Sequence, residues 1–215
     1  MDKIDIIKKL GEEKLVAVIR AESQEQGFEI VEAVKRGGIK FLEITLTVPG
    51  AVDIISFLVK KYQDEDVVIG AGTVLDPETA RIAILAGAGY VVSPYFNPEV
   101  LKTCNRYRVA AMPGCQTVRE VVQSLEMGAD VIKVFPGDAF NPSIIKSFKG
   151  PIPQGNFMPT GGVSLSNTRE WLDAGAYALG TGSSLTAGAK TGDYEAVEVE
   201  ARKFVAEVRN HKLGL

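Results

Sequence analysis

Eight short runs rich in β-branched residues recur along the chain, each followed by a stretch of helical periodicity. This alternation limits the fold more than any single motif does. The runs are 14–21, 41–47, 67–74, 90–94, 109–114, 130–137, 156–163 and 177–182. Helical patterns fall near 23–36, 50–62, 77–86, 97–106, 117–127, 141–149 and 165–174, with a last one near 194–209 and an extra one over 2–11. Strands that alternate with helices pair in parallel, because each crossover returns the chain in the same direction. Ser23, Asn97, Thr117 and Ser166 stand where a helix needs a cap or first-turn residue. Glycine returns ahead of the next strand at Gly37-Gly38, Gly87-Ala88, Gly128-Ala129 and Gly175-Ala176, where a left-handed residue ends a helix.

The expected fold is therefore α/β, a single (β/α)8 TIM barrel with an extra N-terminal helix, in one domain spanning 1–215. An open doubly wound sheet is the alternative, and eight units without a long insertion favour closure. A chain of 215 residues with 46% hydrophobic content can bury one sizeable core.

Side-chain alternation along a strand sorts the polar residues. Glu43, Thr45 and Thr47 share one parity; Val131, Lys133 and Phe135 share another strand's; Val16, Val18 and Arg20 align. Thr73 falls on the parity of Ile69 and Ala71, and Thr160 on that of Met158. The interior parity then collects Glu43, Lys133, Arg20, Thr73 and Thr160 at the middle or C-terminal ends of strands, where barrel enzymes carry their chemistry. Lys133 lies inside VIKVF, where its ammonium is costly unless paired. It reads either as half of a structural ion pair or as a neutral amine able to attack a ketone. Glu43 is its natural partner, as counter-ion or as proton shuttle.

Strands seven and eight end in the glycine turns Pro159-Thr160-Gly161-Gly162-Val163 and Gly180-Thr181-Gly182-Ser183-Ser184. Such turns, at these positions in a barrel, cradle phosphate through backbone N–H groups; otherwise they are only tight connections. The run GAGTVL at 70–75 lacks the third glycine of a dinucleotide fingerprint and is set aside.

Several function classes are excluded. A formal net charge of -3 gives no footprint for nucleic acid or an anionic membrane. The start, MDKIDIIKKLGEEK, is neither a signal peptide nor a membrane span, so a cytoplasmic location is expected. Cys104 and Cys115 have no metal-ligand spacing and read as reduced thiols. The one histidine, His211, lies in a polar tail, which disfavours histidine acid–base chemistry, a Ser-His-Asp triad and most zinc sites.

Leu42-Glu43-Ile44-Thr45, Gly70-Ala71-Gly72-Thr73-Val74, Ser93-Pro94, Met112-Pro113-Gly114, Lys133-Val134-Phe135-Pro136 and Pro159-Thr160-Gly161-Gly162 occur in that order. In this set the chain resembles the class I aldolases for 2-keto-3-deoxy-6-phosphogluconate (KDPG) and 4-hydroxy-2-oxoglutarate (KHG). The resemblance covers nearly the whole chain. It implies Lys133 as the Schiff-base lysine and Glu43 as the proton-transfer carboxylate. It implies Thr73 and Thr160 around the pyruvyl part, Phe135 beside the imine, and Pro94 among the substrate-binding residues. It places Gly161, Gly162, Gly182 and Ser183 at the phosphate. It implies a homotrimer that acts on a small keto acid and needs neither metal nor cofactor. Some members carry an arginine for the substrate carboxylate where this chain has Thr47; Arg20 is the expected substitute, since arginine suits a bidentate carboxylate contact. Two other readings stand beside the aldolase: a phosphosugar isomerase, epimerase or synthase, and a non-catalytic sugar-phosphate-binding protein.

Overall fold

A computed structural model describes residues 1–214. The domain's expected last residue, Leu215, lies outside the described residues. The chain opens with helix α1 (Lys3–Glu13), then β1 (Leu15–Ile19), α2 (Gln24–Arg36), β2 (Phe41–Thr45), α3 (Ala51–Lys61), β3 (Val68–Gly72), α4 (Pro77–Leu85) and β4 (Tyr90–Val92). It continues through α5 (Pro98–Arg106), β5 (Ala110–Met112), β6 (Gly114–Cys115), α6 (Val118–Glu126), β7 (Ile132–Val134), α7 (Ser143–Lys149) and β8 (Phe157–Pro159). It closes with α8 (Thr168–Asp173), β9 (Leu179–Thr181) and α9 (Tyr194–Leu213). Two 3₁₀ turns, Gly137–Ala139 and Ala187–Thr191, were not anticipated.

Local signals explain most boundaries. Ser23, Asn97 and Thr117 accept backbone N–H bonds at the starts of α2, α5 and α6, and Thr117 completes a capping box with Glu120. Ser166 does not cap; α8 begins after Asn167. Gly38, Gly87, Gly128 and Gly175 all have left-handed backbone, with φ between 79° and 98°, where the expected helix stops lie.

The hydrogen-bond ladder corrects the expected closed eight-stranded barrel. Parallel strands form one six-stranded sheet, ordered β5-β4-β3-β2-β1-β9, and a separate three-stranded sheet, β6-β7-β8. The division falls inside the expected fifth strand, 109–114. Ala110–Met112 pairs with β4 and Gly114–Cys115 with β7, on either side of Pro113. Proline has no N–H to give a ladder, so the segment bends there and serves both sheets. At the other seam β8 meets β9 only through the isolated bridge Thr160↔Gly180. The expected barrel is thus a curled pair of parallel sheets.

Both sheets contribute to one interior. Val16, Phe41, Val68, Tyr90, Met112, Val131, Met158 and Ala178 form its apolar floor together with Ile6 and Leu10 of α1. The opposite parity, including Ala17, Leu42, Ile69, Ala71, Val91, Ile132 and Val134, packs under the outer helices. The extra N-terminal helix therefore stoppers the interior from the end remote from the glycine turns. Leu10 is fully buried there. Leu10→Ala should lower unfolding stability by about 2–5 kcal/mol, the usual cost of truncating a buried leucine. A denaturant melt showing less than about 1 kcal/mol would mean that α1 lies on the surface rather than in the core.

Candidate active site

Glu43 and Lys133 project into this interior from different sheets. Glu43 is the central residue of β2 and Lys133 of β7, with 1% and 3% of their surface exposed. Parallel registry sets Glu43 between Val18 of β1 and Gly70 of β3, and Lys133 between Gly114 of β6 and Met158 of β8. Glycines make the room. A side chain at Gly72 would occupy the place of the Glu43 carboxylate, and one at Gly70 the place of the Tyr90 ring. The Gly-Ala-Gly segment once considered as a nucleotide motif is thus clearance for two neighbouring strands.

Neither carboxylate oxygen of Glu43 has a hydrogen-bond partner. Loss of water pushes the Glu43 carboxyl above its ordinary range, against the opposing pull of Lys133 and then Arg20. Burial likewise lowers Lys133, opposed by Glu43 and assisted by the like charge of Arg20. Both shifts increase the share of neutral forms, an amine that can attack and a carboxyl that can give or take a proton. The Lys133 Nζ lies 4.8 Å from the centre of the Phe135 ring, the neighbour expected for it.

Other expected residues surround this pair unevenly. Thr160 is buried with its hydroxyl unpartnered, and a side chain at Gly180 would collide with it. The Pro94 carbonyl fills the place of a side chain at Gly114, the register partner of Lys133. Thr47 is exposed beyond the end of β2, 3.0 Å from Thr45, whose hydroxyl donates to the Ile19 carbonyl at 2.9 Å. Thr73 departs from the expected parity. Ile69 and Ala71 face the helices, and Thr73 itself has left-handed backbone, φ 59°, so strand alternation ends before it.

The two glycine turns adjoin. Gly161 and Gly162 have φ of 93° and 69°. Asn167 braces their turn, donating to the Gly162 carbonyl at 2.9 Å and accepting from the Ser164 N–H at 2.9 Å. Ser184 ties the second turn to the first by donating to the Val163 carbonyl at 2.6 Å. The backbone N–H groups of Gly162 and Ser183 have no backbone acceptor among the described residues. Arg20, exposed at the end of β1, stands beside Gly182, its Nη1 3.4 Å from where a side chain would begin. It opens with Gly182 and Ser183 onto a cleft of about 460 Å³ that Gln26 and Lys190 also line. Sequence reasoning missed these last two, which no strand parity marks, and it missed Tyr90. Among the described residues no cluster of His, Cys, Asp or Glu is arranged to hold a metal ion, and no helix is long and apolar enough to cross a membrane.

Comparison with known proteins agrees with this geometry. Residues 6–199 match the family model for KDPG and KHG aldolase. A 2-dehydro-3-deoxy-6-phosphogalactonate aldolase of Escherichia coli (strain K12) is 36% identical over 172 residues, covering 80% of this chain and 83% of that protein. A KHG/KDPG aldolase of the same organism is 32% identical over 195 residues, or 89% and 90%. A KDPG aldolase from Legionella pneumophila, solved with pyruvate captured as a covalent carbinolamine, superposes with a TM-score of 0.82 at 30% identity, over 90% of this chain and 94% of that one. On a family match over most of its length, and relatives at 32–36% identity, the chain belongs to the KDPG and KHG aldolase family and is a carbon–carbon lyase.

Proposed function

We propose that Lys133 is the amine of a class I aldolase that cleaves KDPG to pyruvate and glyceraldehyde 3-phosphate, KHG to pyruvate and glyoxylate, or both. The observation that carries the residue assignment is the burial of Lys133 and Glu43 in one interior, below two adjoining glycine turns. Lys133 adds to the C2 ketone and the adduct loses water, leaving an iminium ion. Glu43 takes the proton of the C4 hydroxyl. The C3–C4 bond breaks, its electron pair passing into the iminium, and the aldehyde leaves. Glu43 then returns a proton to C3 of the enamine, and water releases pyruvate from Lys133. The covalent bond replaces a free carbanion with a neutral enamine.

Around this chemistry Phe135 packs against the imine, and Thr160, Thr73 and Pro94 border the pyruvyl part. Gly161, Gly162, Gly182 and Ser183 receive the phosphate, supported by the free N–H groups of Gly162 and Ser183. Arg20 supplies the cation for the substrate carboxylate that Thr47 cannot. A homotrimer, on the strength of the family resemblance, working in the cytoplasm with one aldolase domain per chain, completes the reading.

Borohydride reduction in the presence of pyruvate should leave a pyruvate-sized adduct on Lys133, absent in Lys133→Ala; mass mapping that finds none in folded protein at saturating pyruvate removes the Schiff base. Because burial lowers the amine from the usual 10.5, the trapping rate should rise with pH and level off below pH 10.5. A rate still climbing through pH 10.5 would identify an ordinary, solvated lysine. Arg20→Ala should raise the pyruvate concentration for half-maximal trapping about 10–100-fold, the worth of one charge-assisted contact. An unchanged value, with a higher KM for the phosphorylated substrate alone, would move Arg20 to the phosphate.

A further inference from the structure

Tyr90 is fully buried on the floor of the interior, and its hydroxyl has no hydrogen-bond partner. Its neighbours explain why it matters. Gly70 is the register partner of Glu43 on one side and of Tyr90 on the other, so the three residues form one row across β2, β3 and β4. The middle member has no side chain, and the hydroxyl-bearing end of the Tyr90 ring fills its place. The ring leans on Phe41, 5.7 Å between centres. This directs the phenol along the row toward Glu43, whose carboxylate occupies the next clearance, at Gly72. The row thus gathers three buried oxygens, two acceptors and one donor, none of them satisfied. Buried polar atoms rarely stay so, and a water is held where it finds two to four such partners.

We propose that Tyr90 is a positioning residue, whose hydroxyl donates through one bridging water to the Glu43 carboxylate and holds it ready for proton transfer. The proposal rests on the reading of Glu43 as the proton-transfer group. The charged groups acting on Glu43 are Lys133 of β7 and Arg20 at the end of β1; α1 presents the apolar Ile6, Ile7 and Leu10 to this floor. Lys133 and Arg20 act from the substrate side and change their surroundings when the imine forms. Tyr90 acts from below and keeps its place throughout. Donation to a carboxylate favours the ionised form, so Tyr90 makes Glu43 a base at a lower pH than burial alone would allow.

The test is Tyr90→Phe, which keeps the ring and removes one oxygen. Pyruvate should still be trapped on Lys133. The turnover number should fall about tenfold with KM little changed, the effect of losing one hydrogen bond to a charged group. The acid limb of the kcat/KM profile should move up by about half to one pH unit, while a purely structural hydroxyl would leave it in place. Wild-type turnover and an unmoved acid limb, with Tm raised by relief of an orphaned buried hydroxyl, would overturn the proposal. Failure to trap pyruvate in the unaltered protein would instead overturn the Lys133 reading beneath it, so the two failures are separable.

Discussion

An amine and a carboxyl removed from water in the same cavity constrain everything else in this molecule. Isolated charges in such surroundings are costly, and two opposite ones repay that cost only at close range with their remaining valences satisfied. Here no hydrogen bond joins Glu43 to Lys133, and both Glu43 oxygens are unpaired. The arrangement is poor as a structural ion pair, and that is its use. Stability that a tight bridge would supply is forgone, and the groups stay chemically available. The floor of Val16, Phe41, Val68 and Met158, stoppered by Leu10, closes the cavity against bulk solvent from below.

Small residues decide where those groups can stand. Strands in parallel register bring inner side chains side by side at close spacing, and a row of large ones would overfill the space. Gly70 and Gly72 alternate with Ala71 along β3, so beyond Val68 its inner face carries no side chain and those of the two flanking strands lean over it. Gly180 does the same for Thr160 across the seam between the sheets. Glu43 and Thr160 thus lie over absent side chains.

Much of this was legible in the sequence. A lysine and a glutamate embedded in β-branched runs announce buried charge, and parity put both on the inner face. The glycine turns and the helix stops followed from conformations that glycine alone adopts freely. Thr73 was misread because a left-handed residue ends strand alternation, and nothing in a single sequence marks where that happens. The closed barrel was expected from the number of units, while Pro113, inside the presumed fifth strand, already denied it a ladder bond. Nothing in the sequence singles out Tyr90. Its hydroxyl acquires meaning only once β2, β3 and β4 are laid in register. Gln26 and Lys190 come to the Arg20 cleft from a helix and a 3₁₀ turn whose approach depends on tertiary packing.

The split ladder has a mechanical meaning. In an unbroken barrel, the span between any two inward groups is fixed by the count of hydrogen-bonded strands between them. Here Lys133 rides on one leaf and Glu43 on the other. The seams are the change of partner at Pro113 and a single backbone bridge at Thr160. Their spacing is therefore held by packing, which single residues along a seam can retune.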